Sequence, residues 1–284
     1  MTAWLILRAP SHDLLSWRRL PRLARSQSSP PLSQIKVRSD KRERIERMHE
    51  IPFPNRRRAG ELLARELASL RLEQPVVYVL PRGGVPVGAP IAKALGAPLD
   101  VLLVRKIGVP GQEELAAASV VDGATPDVVL NDDIIRAVGL TRAQIDEAAK
   151  QQLKEIERRR ALYLPGRAPI SAEGRTAIIV DDGVATGASV RAAIAALKRR
   201  HPRRIVVAVP VAAAETVREL LREVDDVICL AAPERFGAVG YFYRDFHQLG
   251  DREVMEELAS LAQDQSAVAE DATHGKQGGK EIEQ

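Results

Sequence analysis

Five short runs in this chain are apolar at almost every position: Val76–Leu80, Leu99–Val104, Ala177–Val180, Ile205–Val209 and Val227–Leu230. A strand with one wet face alternates apolar and polar side chains. An unbroken apolar strand is therefore buried on both faces, as in a parallel sheet covered by helices. The segments between the runs supply those helices. Asn55 can cap a helix whose apolar positions Ala59, Leu62, Leu63, Leu67 and Leu70 follow helical spacing. Further helical stretches run from Val87 to Leu95, Ala188 to Arg199 and Ala213 to Glu223, and Val128–Leu130 reads as a short extra strand. Thr141 and Gln144 have capping-box spacing, with Leu140 and Ile145 placed as a staple, and open a long helix that stops at Pro165-Gly166. The expected fold class is α/β: a doubly wound, mainly parallel sheet flanked by helices. Ligands of such sheets bind beyond the carboxyl ends of the strands.

Charge is unevenly spread along the 284 residues. Residues 1–58 hold 14 Lys/Arg and 5 Asp/Glu, a balance of +9, while the remainder holds 28 and 33, a balance of −5. The basic character belongs to the N-terminal fifth, so a nucleic-acid surface on the body of the protein is not expected. Residues 1–50 read as a basic, disordered leader: an organelle transit peptide, an RNA-binding arm, or translated sequence upstream of a natural start at Met48. The domain is expected over 51–262, and the polar residues 263–284 read as a disordered tail. No apolar run has the length a membrane helix needs, and the expected location is the cytoplasm. The single cysteine, Cys229, lies in an apolar run and reads as a buried, inert thiol; the five histidines share no metal spacing.

The segment Ile178–Ser189 carries the most chemistry. An apolar strand delivers Asp181 and Asp182 to the sheet edge, and the loop Gly183-Val184-Ala185-Thr186-Gly187 leads into a helix at Ala188-Ser189. Backbone amides at a helix N-terminus, with the Thr186 and Ser189 hydroxyls, make a cradle for a phosphate dianion. The two carboxylates would repel that phosphate, so they face sugar hydroxyls or a hydrated metal ion. Together they point to a phosphorylated sugar. Arg82-Gly83-Gly84 ends the first strand: the glycines let backbone amides approach a polyanion, and Arg82 can bind it with two nitrogens. Arg105 and Lys106 end the second strand, ahead of the Gly/Pro-containing stretch Ile107–Glu114.

Ile178–Ser189 resembles the phosphoribosyl pyrophosphate (PRPP) motif of the type I phosphoribosyltransferases, and the resemblance covers roughly residues 51–255. It implies that Asp181 and Asp182 hold the ribose hydroxyls, that Gly183–Ser189 grips the 5′-phosphate, and that Arg82, Gly83 and Gly84 contact the pyrophosphate. Arg105 and Lys106 would open a flexible catalytic loop and offset charge on the departing pyrophosphate. Mg²⁺ would accompany the pyrophosphate, with no dedicated protein metal site. The expected reaction is transfer of the phosphoribosyl group to a nitrogen acceptor such as a nucleobase; the alternative is a non-catalytic PRPP sensor on the same fold. Ala185 stands where the 6-oxopurine branch carries an aspartate base, so no general base is assigned, and Glu113 and Glu114 are only candidates. Phe236, Tyr241, Phe242, Tyr243 and Phe246 hold five of the chain's eight Phe/Tyr within eleven residues, where the family's small C-terminal hood closes over the acceptor. Phe236 and Tyr241 are the acceptor-binding candidates. The cluster has a second reading, as packing of the C-terminal lobe or a homodimer contact.

Overall fold

The computed structural model describes residues 4–8, 51–123 and 126–277, with side chains for all of these except 4–8, 113–114 and 265–277. In chain order the elements are β1 (Trp4–Arg8), α1 (Arg56–Ala68), β2 (Pro75–Val79), α2 (Gly84–Leu95), β3 (Leu99–Val101), β4 (Val104–Val109), β5 (Gln112–Val121) and β6 (Asp127–Asn131). They continue as α3 (Asp132–Val138), α4 (Arg142–Tyr163), β7 (Thr176–Val180), α5 (Ala188–Lys198), β8 (Arg204–Val211), α6 (Ala214–Leu220), β9 (Asp226–Ala231) and α7 (Asp251–Gln277). A five-stranded sheet has the order β3-β2-β7-β8-β9 with every neighbouring pair parallel. Alternate residues of each strand feed two cores. Val77, Val79, Ile178, Val180, Val206 and Ala208 pack with α1, α2, α4 and α7. Val76, Tyr78, Ala177, Ile179, Ile205 and Val207 pack with α5 and α6 on the other face. This two-sided burial is what the unbroken apolar runs require.

One run does not stay a single strand. The run Leu99–Val104 pairs with β2 only through Val101; Leu102 and Leu103 then turn the chain into β4. Inside this apolar run Asp100 is a buried carboxylate that accepts from the Ile170 amide at 2.8 Å and from Arg160 Nη2 at 2.9 Å. Arg160 Nη1 reaches Asp122 Oδ2 at 2.7 Å and the Val101 carbonyl at 3.1 Å, and Asp122 Oδ1 accepts from the Leu103 amide at 2.9 Å. One arginine thus braces the point where the parallel sheet gives way to a second, antiparallel sheet of order β1-β6-β5-β4. The stretch expected as a flexible loop is a β4–β5 hairpin, turning at Pro110-Gly111 with Gly111 at φ +79°, where a side chain would be strained.

The capping box of Thr141 and Gln144 and the Asn55 cap form as the sequence dictates. Three regions differ from expectation. Within the leader read as disordered, Trp4–Arg8 pairs antiparallel with β6, because a β-prone run meets a free sheet edge, while residues 1–3 and 9–50 lie outside the described residues. The stretch read as a disordered tail is helical through Gln277: it lacks an apolar stripe, but its Ala, Gln and Glu residues have high helix propensity. The hood is built from both ends of the domain, since Phe53 N–H donates to the Phe242 carbonyl and Arg244 N–H to the Phe53 carbonyl, both at 2.8 Å.

Candidate active site

Strand order reverses between β2 and β7: from β2 the chain moves outward to β3, and from β7 it moves the other way to β8 and β9. That switch point opens a crevice at the carboxyl ends of two adjacent strands. Leu80–Gly84 leaves β2 there, and Asp181-Asp182 leaves β7 beside it. The fit is close. A Cβ on Gly83 would lie 2.0 Å from Asp182 Oδ2, and one on Gly84 would lie 2.6 Å from the Val180 carbonyl. The glycines are therefore needed to seat the loop against the acid pair, in addition to the approach to a ligand that the sequence suggested. The Pro81–Arg82 peptide is cis. Arg82 Nη1 lies 3.9 Å from Asp251 Oδ1, and that carboxylate accepts a 2.5 Å hydrogen bond from the Tyr163 hydroxyl.

Asp181 and Asp182 do not share one environment. Burial and the neighbouring Asp182 carboxylate push Asp181 well above the ordinary carboxylate range. Burial raises Asp182 as well, but Arg56 works against it, with Nε 2.8 Å from Asp182 Oδ2. The Asp182 backbone amide donates to Asp181 Oδ1 at 2.9 Å. A pocket of about 310 Å³ opens here, lined in part by Arg56, Arg82, Gly83, Asp182 and Phe246.

Residues 183–189 form the adjoining loop, with Gly187 at φ +76° leading into α5. Its carbonyls are tied back: Thr216 Oγ1 donates to the Ala185 carbonyl at 2.6 Å and Arg191 Nη1 to the Thr186 carbonyl at 2.7 Å. Arg191 is itself held by Glu219 and, at 3.1 Å, by Glu223. With those carbonyls anchored behind, Ala185 and Thr186 lie exposed at the helix N-terminus, the arrangement that suits a phosphate. Val184 plays a different part. Its amide is spent on the Val211 carbonyl at 2.9 Å and its side chain is buried, so it anchors the loop. Gly183 lets the Val239–Phe242 turn press onto the loop: a Cβ there would meet Val239 Cγ1 at 2.5 Å.

Other predicted residues fall less neatly. Successive residues of a strand face opposite sides. Arg105 faces α4, where its Nε donates to Gln152 at 3.0 Å, and exposed Lys106 occupies the opposite face of β4. The two side chains therefore do not share a face of β4. Glu113 and Glu114 have side chains outside the described ones. Phe236 is stacked on Phe242 at 5.5 Å in a cluster with Phe53 and Tyr243, whereas Tyr241 is 78% exposed. Cys229 is half-buried, its thiol donating to the Ala231 carbonyl and pushed up to about 12 by burial, as an inert thiol should be.

Arg56 was missed. It is 8% exposed, its guanidinium lies 3.8 Å from the centre of the Phe246 ring, and Nη1 donates to the His247 carbonyl at 3.0 Å. In sequence it merges with the basic N-terminal block. One signal was available: a cation in the first turn of a helix opposes the helix dipole, and such local conflicts mark sites of function.

The fold and site define an α/β protein with a switch-point crevice where an acid pair, a loop at a helix N-terminus and an Arg-Gly-Gly turn meet. The comparisons agree. The family model for the phosphoribosyl transferase domain matches residues 54–245, and the chain belongs to that family. A Mycobacterium tuberculosis protein named "Putative phosphoribosyl transferase" is 45% identical over 203 residues, 72% of this chain and 45% of the relative, so the chain spans about half the length of that relative. The crystal structure of TT1426 from Thermus thermophilus is 42% identical and covers 74% of this chain and 98% of its own, with a TM-score of 0.65. A uracil phosphoribosyltransferase from Lactobacillus gasseri is 42% identical over 86 residues, 30% of this chain and 41% of its own. Among the described residues no helix is long and apolar enough to cross a membrane.

Proposed function

We propose that the protein transfers the 5-phosphoribosyl group from PRPP to a nitrogen acceptor, a nucleobase in the first instance, and releases pyrophosphate. The observation that carries this reading is the meeting of Asp181-Asp182, the Ala185–Ser189 loop and Arg82-Gly83-Gly84 across two adjacent strand ends. In that arrangement the loop holds the 5′-phosphate, the acid pair accepts from the ribose hydroxyls, and Arg82 faces the pyrophosphate. The acceptor nitrogen forms its bond to C1 of the ribose as the C1–O bond to pyrophosphate breaks, with inversion. Positioning and charge stabilisation supply the acceleration. Lys106, on the hairpin face away from α4, is the lid cation for the leaving group. Asp182 and Arg82 line the pocket assigned to the pyrophosphate in this reading, and a Mg²⁺ ion accompanying that group would supply charge neutralisation. Tyr241 is the more accessible of the two acceptor candidates, because Phe236 already stacks on Phe242.

Incubating the full chain with PRPP, Mg²⁺ and a panel of purines and pyrimidines, and following pyrophosphate release, tests the reading. Release that depends on one acceptor supports it. PRPP binding with no release for any acceptor replaces it with a sensor, and absence of PRPP binding refutes both.

A further inference from the structure

We propose that Arg56 is the positioning residue of the ribose site, clamping Asp182 so that only one carboxylate oxygen is left to face a ligand. The inference rests on the reading that this crevice binds PRPP.

Asp182 is gripped at both its main chain and its side chain. The Tyr243 hydroxyl donates to its carbonyl at 2.5 Å, and Arg56 Nε donates to Oδ2 at 2.8 Å. Arg56 in turn has little freedom. Its Nη1 is fixed by the His247 carbonyl, and its guanidinium lies over the Phe246 ring, on which Tyr243 also stacks at 5.0 Å. The clamp therefore closes a ring: Asp182, Arg56, Phe246, Tyr243 and back to Asp182. Its members come from the start of α1, the end of β7 and the segment after β9, so the ring forms only when both ends of the domain meet over the site.

A lone carboxylate at a strand end turns about its last bond and presents either oxygen. With Oδ2 committed to Arg56, Oδ1 is the oxygen left for a sugar hydroxyl. The charge matters as much as the aim. Asp181 stands beside Asp182, and without a cation two adjacent half-buried carboxylates resist ionising together. Among the described charged groups, Arg56 pairs directly with Asp182, while Asp181 adjoins it in sequence and Arg82 is carried by the loop seated on it. The neighbouring arginines are spent elsewhere: Arg57 pairs with Glu257 and Arg58 with Glu61. Of these three, Arg56 is the one turned inward to Asp182.

The test is calorimetric titration of the full chain with PRPP in Mg²⁺, using wild type, Arg56→Gln, Arg56→Lys, Asp182→Asn and the double variant Arg56→Gln/Asp182→Asn. Arg56→Gln should bind PRPP at least about tenfold more weakly, the scale of one lost charge-assisted contact. Arg56→Lys keeps the charge but loses the fork, and should fall between wild type and Arg56→Gln. In the Asp182→Asn background Arg56→Gln should have little further effect, because the group it positions is gone. The proposal is overturned by wild-type affinity in Arg56→Gln, by no rescue in Arg56→Lys, or by losses that multiply in the double variant. A purely structural Arg56 would lower thermal stability and produce that last pattern. Should Arg56→Gln fail to melt cooperatively, Arg56→Lys decides alone: several-fold weaker binding at near wild-type stability supports the clamp, and unchanged affinity overturns it. A wild-type chain that does not bind PRPP refutes the reading of the site and the clamp with it. Binding by wild type that is indifferent to position 56 refutes only the clamp.

Discussion

Replacing Arg160 with methionine probes how the β4–β5 hairpin is anchored, and its cost can be worked from the structure. Arg160 makes three hydrogen bonds at 2.7–3.1 Å, to Asp122, Asp100 and the Val101 carbonyl, and both carboxylates are almost wholly buried. Removing the cation leaves two buried acids uncompensated, which costs about 3–5 kcal/mol. At about 2–4 °C per kcal/mol for a domain of this size, Tm should fall by roughly 6–20 °C. The loss should also depend on pH. Burial, only partly offset by Arg160, raises Asp122 to about 6. A carboxyl with an unfolded value near 4 then binds its proton more tightly in the folded protein. Its contribution to stability is complete below about pH 4 and is lost as pH rises through about 6. A shift of about two units corresponds to about 3 kcal/mol. Methionine removes the cation that restrains this rise, so the window extends to higher pH. The Tm gap between wild type and Arg160→Met should therefore be smaller at pH 5, where Asp122 holds its proton and only the Asp100 contact is lost, than at pH 8. Thermal unfolding followed by circular dichroism at both values measures this. A gap that is absent at pH 8, or equal at the two pH values, would refute the reasoning.

Three further outcomes are expected. Asp181→Asn should weaken PRPP binding by about 1–3 kcal/mol, the cost of leaving a hydrogen-bonding group without its partner, and should not lower Tm, because burial already disfavours the charged carboxylate; unaltered affinity by calorimetry would remove Asp181 from the ribose site. Gly83→Ala places a methyl 2.0 Å from Asp182 Oδ2, so the loop or the carboxylate must move, and PRPP affinity should drop at least about tenfold; wild-type affinity would show that this close approach is not needed for binding. Tyr241→Ala should leave stability within about 0.5 kcal/mol because the side chain is exposed, yet raise the acceptor KM, whereas Phe236→Ala should lower Tm by unpairing Phe242; the reverse pattern would restore Phe236 as the base platform.

The sequence by itself determined the architecture and half of the site. Strands without a polar face can only be interior strands of a covered sheet, so β2, β7, β8 and their helices were legible from apolar runs alone. Asp181, Asp182 and the loop to Ser189 were legible because a contiguous segment carries its own geometry: strand end, small residues, helix start. What lies far apart in the chain was not. The clamp joins Arg56 to Asp182, 126 positions away, and to His247, 191 positions away, and no local pattern reports such a pairing. The same limit explains Arg105 and Lys106, adjacent in sequence but set on opposite faces because the stretch expected as a flexible loop is a strand. It explains Phe236 too, whose ring met Phe242 where a ligand was expected. Local propensity and pattern fix which elements form and which face is apolar; which buried charge meets which partner is decided only when the sheet brings distant segments to one edge.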